Sequence, residues 1–244
     1  MQCVILAGGL GTRLWPATRT IPKALIPIHG RPFADYQLAW LARQQVTDVV
    51  YCVGFLGEQI RSHVGDGSTF GLTVRYVDEG MNLKGTAGAL RLALDAGLLA
   101  KTLFVLYGDS FLPIEFAPVL AAYHASGRPA LMTVMRNEDR WDRSNVVFTP
   151  PAISLYDKTC DDSTRARMAY IDYGLSVISC DLIAAGVASG STLDLADLFK
   201  RLSIAGELAG FEVSERFFEV GSAGGIADFI RYVAETGLCT PRPC

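Results

Sequence analysis

The stretch Cys3-Val4-Ile5-Leu6-Ala7-Gly8-Gly9-Leu10-Gly11-Thr12-Arg13-Leu14-Trp15-Pro16 decides how the chain reads. Its first five residues form a short apolar run, as expected of a strand covered by helices on both faces. The run ends in three glycines within four residues, Gly8, Gly9 and Gly11. The carboxyl end of a first strand is where open α/β sheets place ligands. Glycine lets backbone N–H groups approach an anion, and Arg13 adds a planar cationic fork suited to phosphate oxygens. Lys23 supplies a second cation after a segment stiffened by Pro16 and Pro22. A tight strand-to-helix turn would account for the glycines alone, but not for Arg13, Pro22 and Lys23 beside them. A Walker A loop is excluded because no Gly-Lys pair exists, and a dinucleotide fingerprint fails because position 14 is Leu14.

Outward from that loop, β-rich runs alternate with helical patterns. Strands are expected at Cys3–Ala7, Asp48–Gly54, Leu72–Val77, Thr102–Tyr107 and Ala130–Met135, and helices at Phe33–Gln45, Leu56–Val64, Thr86–Leu99 and Glu115–Ser126. This alternation predicts an α/β fold with a doubly wound, mostly parallel mixed sheet. The second half changes character. Two strands, Asn145–Thr149 and Ile153–Lys158, flank a Pro-Pro turn; a polar loop at Asp161–Arg167 precedes a strand at Tyr170–Ser179. Helices at Leu182–Ala188 and Leu193–Ala205, a strand at Leu208–Val213 and a helix at Ile226–Thr236 complete the chain. With no linker or repeat, residues 1–236 read as one domain, a core of 1–140 and an elaboration of 141–236, with a frayed tail at 237–244.

The 244 residues are 50% hydrophobic and 19% charged, enough to bury one large core and far from a disordered composition. Twenty-two basic against 25 acidic residues give a net charge of −3, which argues against nucleic acid as a partner. No apolar run reaches the ~18 residues of a membrane span, so a cytoplasmic protein is expected. The six cysteines are scattered without a C-x-x-C pair and stand apart from His29, His63 and His124, so no zinc site is expected.

Several polar positions carry chemistry. Asp109 follows the apolar run Thr102–Tyr107 and Gly108, placed either to hold a divalent cation or to make a turn. Thr86, after Gly85, reads as a helix N-cap.

Residues Gly9 to Lys23 match every fixed position of G-x-G-T-R-x-x-P-x-T-x-x-x-P-K, and the chain thereby resembles the sugar-1-phosphate nucleotidyltransferases over residues 1 to 235. The resemblance implies nucleotidyl transfer from an NTP to a sugar 1-phosphate, with Arg13 and Lys23 as catalytic cations. It implies nucleotide contacts from Leu6, Ala7, Gly8, Gly9, Gly11, Thr12, Gly85, Thr86 and Gly108, with the loop Asp78–Lys84 helping to set base choice. Magnesium would be held by Asp109 and by Glu219 of Phe218-Glu219-Val220-Gly221-Ser222, where a structural salt bridge is the alternative for Glu219. Lys158, after Asp157, would neutralise the sugar phosphate unless it is a surface lysine, and Asp172 with Gly174 would line the sugar pocket. Leu14-Trp15-Pro16 with Arg19, the Gly85–Leu90 step and Phe218–Ser222 are similar to compact bacterial guanylyltransferases acting on manno-configured hexose or heptose phosphates. Thymidylyl, uridylyl or cytidylyl transfer, or a non-sugar acceptor such as phosphocholine, are the alternatives. A catalytically silent relative should have lost Arg13, Lys23 or Asp109, and all are present. Trp141, in a charged stretch, hints at a contact surface and a homo-oligomer.

Overall fold

A computed structural model describes residues 1–80 and 82–238. The first half runs β1 (Gln2–Ala7), β2 (Pro27–Ile28), β3 (Arg31–Pro32), α1 (Phe33–Arg43), β4 (Asp48–Val53), α2 (Gly57–Val64), β5 (Thr73–Asp78), α3 (Gly85–Asp95), β6 (Thr102–Tyr107), β7 (Ser110–Phe111), α4 (Phe116–Ser126) and β8 (Ala130–Arg136). The second half runs β9 (Val146–Thr149), β10 (Ala152–Tyr156), α5 (Asp162–Arg165), β11 (Tyr170–Ser179), α6 (Cys180–Gly186), α7 (Leu195–Ile204), β12 (Leu208–Val213), β13 (Phe218–Glu219) and α8 (Ala223–Thr236).

Nine of the described strands form one mixed sheet in the order β5-β4-β1-β6-β11-β8-β12-β10-β9. β5, β4, β1 and β6 are parallel to one another, and β11 runs antiparallel to both β6 and β8. Its two faces explain the unbroken apolar strands. Cys3, Ile5, Tyr51 and Leu106 pack with α1, α2 and α4, whereas Val4, Leu6, Cys52 and Val105 pack with α3, α6 and α7. Burial at both sulfurs raises the Cys3 and Cys52 thiol pKa, so these cysteines act as small apolar fillers. Neighbouring strands β1 and β6 bring the loops after Ala7 and Tyr107 side by side.

A third, smaller core lies under α8. Phe229 meets Phe33 at 5.2 Å and Phe111 at 5.0 Å between ring centres, and Tyr232 meets Phe218 at 4.3 Å. These rings seat the two-stranded pair β7–β13, in which Glu219 opposes Ser110.

Local differences from the sequence reading have local causes. The expected polar loop at Asp161–Arg167 contains α5, because Asp161 accepts a bond from Thr164 N at 2.7 Å and caps a short turn. α3 ends at Asp95, not Leu99, where Leu98 N closes onto Ala93 O at 3.0 Å. α7 starts at Leu195 because the backbone of Leu193 is engaged elsewhere: its N–H donates to Lys84 O at 2.9 Å. α8 starts three residues early, at Ala223, because Ser222 accepts from Gly225 N at 3.0 Å. The expected frayed tail falls largely outside the described residues; Gly237 is the left-handed cap of α8.

Candidate active site

Two clefts open along the carboxyl ends of β1 and β6, and Tyr107, Lys23 and Asp109 lie where they come together. The first, of about 230 Å³, is lined by Leu6, Ala7, Gly8, Gly9, Gly85, Thr86 and Gly108, together with Lys23, Glu79 and Asp109. The second, of about 530 Å³, is lined by Arg13, Lys158, Asp172, Gly174 and Glu219. Tyr107 and Asp109 line both.

The signature loop is not a helix. It folds as three 3-10 turns, Thr12–Leu14, Ala17–Arg19 and Lys23–Leu25, pinned by Thr18 Oγ1, which donates to Gly11 O at 2.7 Å. Thr18 is buried, so the signature threonine is a staple for the loop. Gly11 takes φ +66° at the start of the first turn. Gly11 and Thr12 therefore shape the loop and line neither cleft. Gly8 lies against the Glu79 carboxylate: a Cβ there would force the end of that side chain to move. Arg13, expected against the nucleotide, points into the second cleft.

Lys23 Nζ donates to Asp109 Oδ2 at 2.7 Å, a pair shielded on most sides with side-chain exposures of 20% and 22%. A Cβ built on Gly221 would lie 2.5 Å from Glu219 Oε2, 3.1 Å from Arg13 Nη2 and 3.2 Å from Asp109 Oδ2. Two carboxylates and a guanidinium therefore converge around one point. Glu219 is fixed there by Gly221 N and Ser222 Oγ, each donating at 2.5 Å, rather than by a salt bridge. Among the described residues no group of three or more His, Cys, Asp or Glu gathers to form a complete metal cage. Two carboxylates fit a hard divalent ion that takes its other oxygens from substrate phosphates and water.

The Gly85–Leu90 step behaves differently from the N-cap expected. α3 begins at Gly85, and Thr86 Oγ1 serves the N-terminus of α7, donating to Asp194 and accepting from Leu195 N at 2.7 Å. Ala87 N and Gly88 N are spent on Leu193 O at 3.0 and 3.1 Å, which removes them from any role in reading a base. Glu79 was missed by the sequence reading. It is a half-buried carboxylate whose pKa is raised by desolvation and partly restored by the Lys84 N–H that donates to Oε2 at 2.8 Å. The only signal in sequence was its place in the Asp78–Lys84 loop.

In the second cleft β11 carries two extra residues against β8 between Asp172 and Ser176, and Gly174 accommodates this bulge with φ +103°. Asp172 lines this cleft as expected, with part of its acceptor capacity already used: Tyr156 Oη donates to its Oδ2 at 3.1 Å and Gly174 N to its Oδ1 at 3.0 Å. Lys158 Nζ stands 3.8 Å from Asp172 Oδ2. Asp157, next to Lys158, turns away to Lys200 at 2.6 Å. Trp141, expected at a contact surface, lines the rim of this cleft with the Arg216 guanidinium 3.9 Å over its ring.

Comparison with known proteins agrees with this geometry. The family described as nucleotidyl transferase matches residues 2–145, more than half the chain. The chain belongs to that family. It is 31% identical over 158 residues to a Campylobacter jejuni protein named D-glycero-alpha-D-manno-heptose 1-phosphate guanylyltransferase, covering 65% of this chain and 69% of that one. It is 38% identical over 112 residues to a Streptomyces griseus glucose-1-phosphate thymidylyltransferase, covering 46% of this chain and 31% of that one. Over four of its curated relatives the match spans only 31% to 50% of their length. The fold matches HddC from Yersinia pseudotuberculosis in complex with GMP-PN, with a TM-score of 0.75, 21% identity and coverage of 95% and 98% of the two chains.

Proposed function

We propose that the protein transfers a nucleotidyl group from an NTP to a sugar 1-phosphate, releasing pyrophosphate. The observation that carries this reading is the junction of the two clefts at Lys23, Tyr107 and Asp109. A glycine-lined cleft suits a nucleoside phosphate, its neighbour suits a phosphorylated sugar, and the cationic group stands where their phosphates meet.

The nucleophile, a phosphate oxygen already ionised at neutral pH, needs no general base. The chain's task is then to align two anions and lower their repulsion. In this reading Lys23 leaves Asp109 to neutralise the α-phosphate and the incoming phosphate, Arg13 stabilises the departing β- and γ-phosphates from the adjoining cleft, and Lys158 holds the sugar phosphate. Asp109 and Glu219 would hold a divalent metal, magnesium in our reading, which when bound withdraws charge from the phosphate oxygens.

For the base we infer guanine. Among nucleobases guanine presents two adjacent donors, N1–H and N2–H₂, and a carboxylate presents two acceptor oxygens. Glu79 is a half-buried carboxylate in the nucleotide cleft, which supports this choice. As acceptor we infer a manno-configured hexose or heptose 1-phosphate, a reading supported by the likeness to the Campylobacter jejuni protein and to a Schizosaccharomyces pombe mannose-1-phosphate guanyltransferase.

The test is pyrophosphate release with magnesium, crossing GTP, ATP, UTP, CTP and dTTP against mannose-, glucose- and manno-heptose-1-phosphate. Turnover confined to GTP and a manno acceptor is expected. Release with dTTP or UTP in its place would move the base assignment, and release only with phosphocholine, added to the panel as a non-sugar acceptor, would move the acceptor.

A further inference from the structure

The second cleft is lined by four cations, Arg13, Arg143, Lys158 and Arg165, and by four carboxylates, Asp109, Asp142, Asp172 and Glu219, yet Arg143 and Arg165 pair with none of the four. Lys158 Nζ stands 5.8 Å from the centre of the Tyr107 ring and 5.7 Å from that of Tyr156, with Asp172 beside it. Because Tyr107 lines both clefts, this places Lys158 at the end where the new bond forms. Two more guanidiniums line the same cleft from separate segments, Arg143 from the loop after β8 and Arg165 from α5.

Arg165 Nη2 donates to Cys160 O at 3.0 Å, which orients its fork. The acidic groups nearby are engaged by backbone. Asp142 Oδ1 accepts from Arg143 N at 2.7 Å and Asp139 Oδ1 from Ser144 N at 2.7 Å. Asp139 feels the charge of both arginines, after its bonds to Ser144, but forms an ion pair with neither. Among the described residues no carboxylate comes within 4.0 Å of either guanidinium.

A neutral sugar offers these arginines only hydroxyls, whereas the planar fork is matched to a carboxylate or phosphate. We propose that the acceptor is a sugar 1-phosphate bearing a second anionic group, a carboxylate or a further phosphate, bound by Arg143 and Arg165. This rests on the transferase reading above and narrows its acceptor.

The experiment compares kcat/KM for mannose 1-phosphate, mannuronic acid 1-phosphate and mannose 1,6-bisphosphate at fixed GTP and magnesium, in wild type and in an R143Q/R165Q double variant. One of the two acidic acceptors should be preferred over the neutral one by at least ~10-fold, and the double variant should bring that ratio to about 1. Which one is preferred tells carboxylate from phosphate. A wild-type measurement that needs no variant is the salt dependence, since the preference should shrink as ionic strength rises. Equal use of neutral and acidic acceptors, or a preference that neither the variant nor salt changes, overturns this inference and leaves the transferase reading in place. No pyrophosphate from any of these acceptors when the comparison is repeated with ATP, UTP, CTP and dTTP in place of GTP overturns both.

Discussion

Lys23 and Asp109 lie 86 positions apart in sequence and 2.7 Å apart in space, and the account turns on that contact. Glu79, which lines the same cleft, gives the most specific consequence. Gln offers one donor and one acceptor where Glu offers two acceptors. Glu79→Gln should therefore lower kcat/KM for GTP by about 10- to 100-fold and narrow its advantage over UTP and dTTP, read in the nucleotide panel. The pH dependence has a definite sign. Desolvation raises the Glu79 pKa, so on acidification it takes up its proton before an ordinary glutamate does. The KM for GTP should rise as pH falls towards that raised value, and should stay flat in Glu79→Gln. Glu219 has a separate test. If it holds the metal, Glu219→Gln should raise the magnesium concentration needed for half-maximal activity by about 10-fold or more, measured by titration after chelation with EDTA. An unchanged titration would leave Glu219 as the support of the Gly221–Ser222 turn, which its two bonds already show.

At the scale of elements, the sites are held by pieces too short to read. β1 and β6 were legible because their apolar runs are buried on both faces, and with them came the positions of Gly8 and Asp109. The pair β7–β13 was not: two residues per strand carry no periodicity, and their register is set by aromatic rings on α1 and α8. The bulge at Gly174 and the capture of Thr86 by the α7 terminus are likewise tertiary facts that override a sound local reading. Asp172 shows the same limit, since nothing in Ile171-Asp172-Tyr173 marks Tyr156 as its partner. The α8 rings give the prediction for this scale. Phe229 is fully buried and touches Phe33, Phe111 and Phe218, so Phe229→Ala should cost about 3–5 kcal/mol in denaturant unfolding. Because the β7–β13 pair rests on that ring, the surviving folded enzyme should need more magnesium as well.

For the whole molecule, the clefts sit on one rim of a single nine-stranded sheet, and the two halves of the chain meet across them. The first half brings the glycine loop, Glu79 and Asp109; the second brings Lys158, the bulge and Glu219. The sequence family covers residues 2–145, so the acceptor side is carried by the geometry of the later strands. No helix among the described residues is long and apolar enough to cross a membrane. The central claim is that the bond forms where Lys23 meets Asp109. Its most direct test is single-turnover pyrophosphate release from saturating GTP and acceptor in wild type, Lys23→Ala and Asp109→Ala, with GTP binding measured alongside. The account predicts a loss of about 10²–10³-fold in rate for each variant, while GTP still binds. Turnover near the wild-type rate in either variant would contradict it.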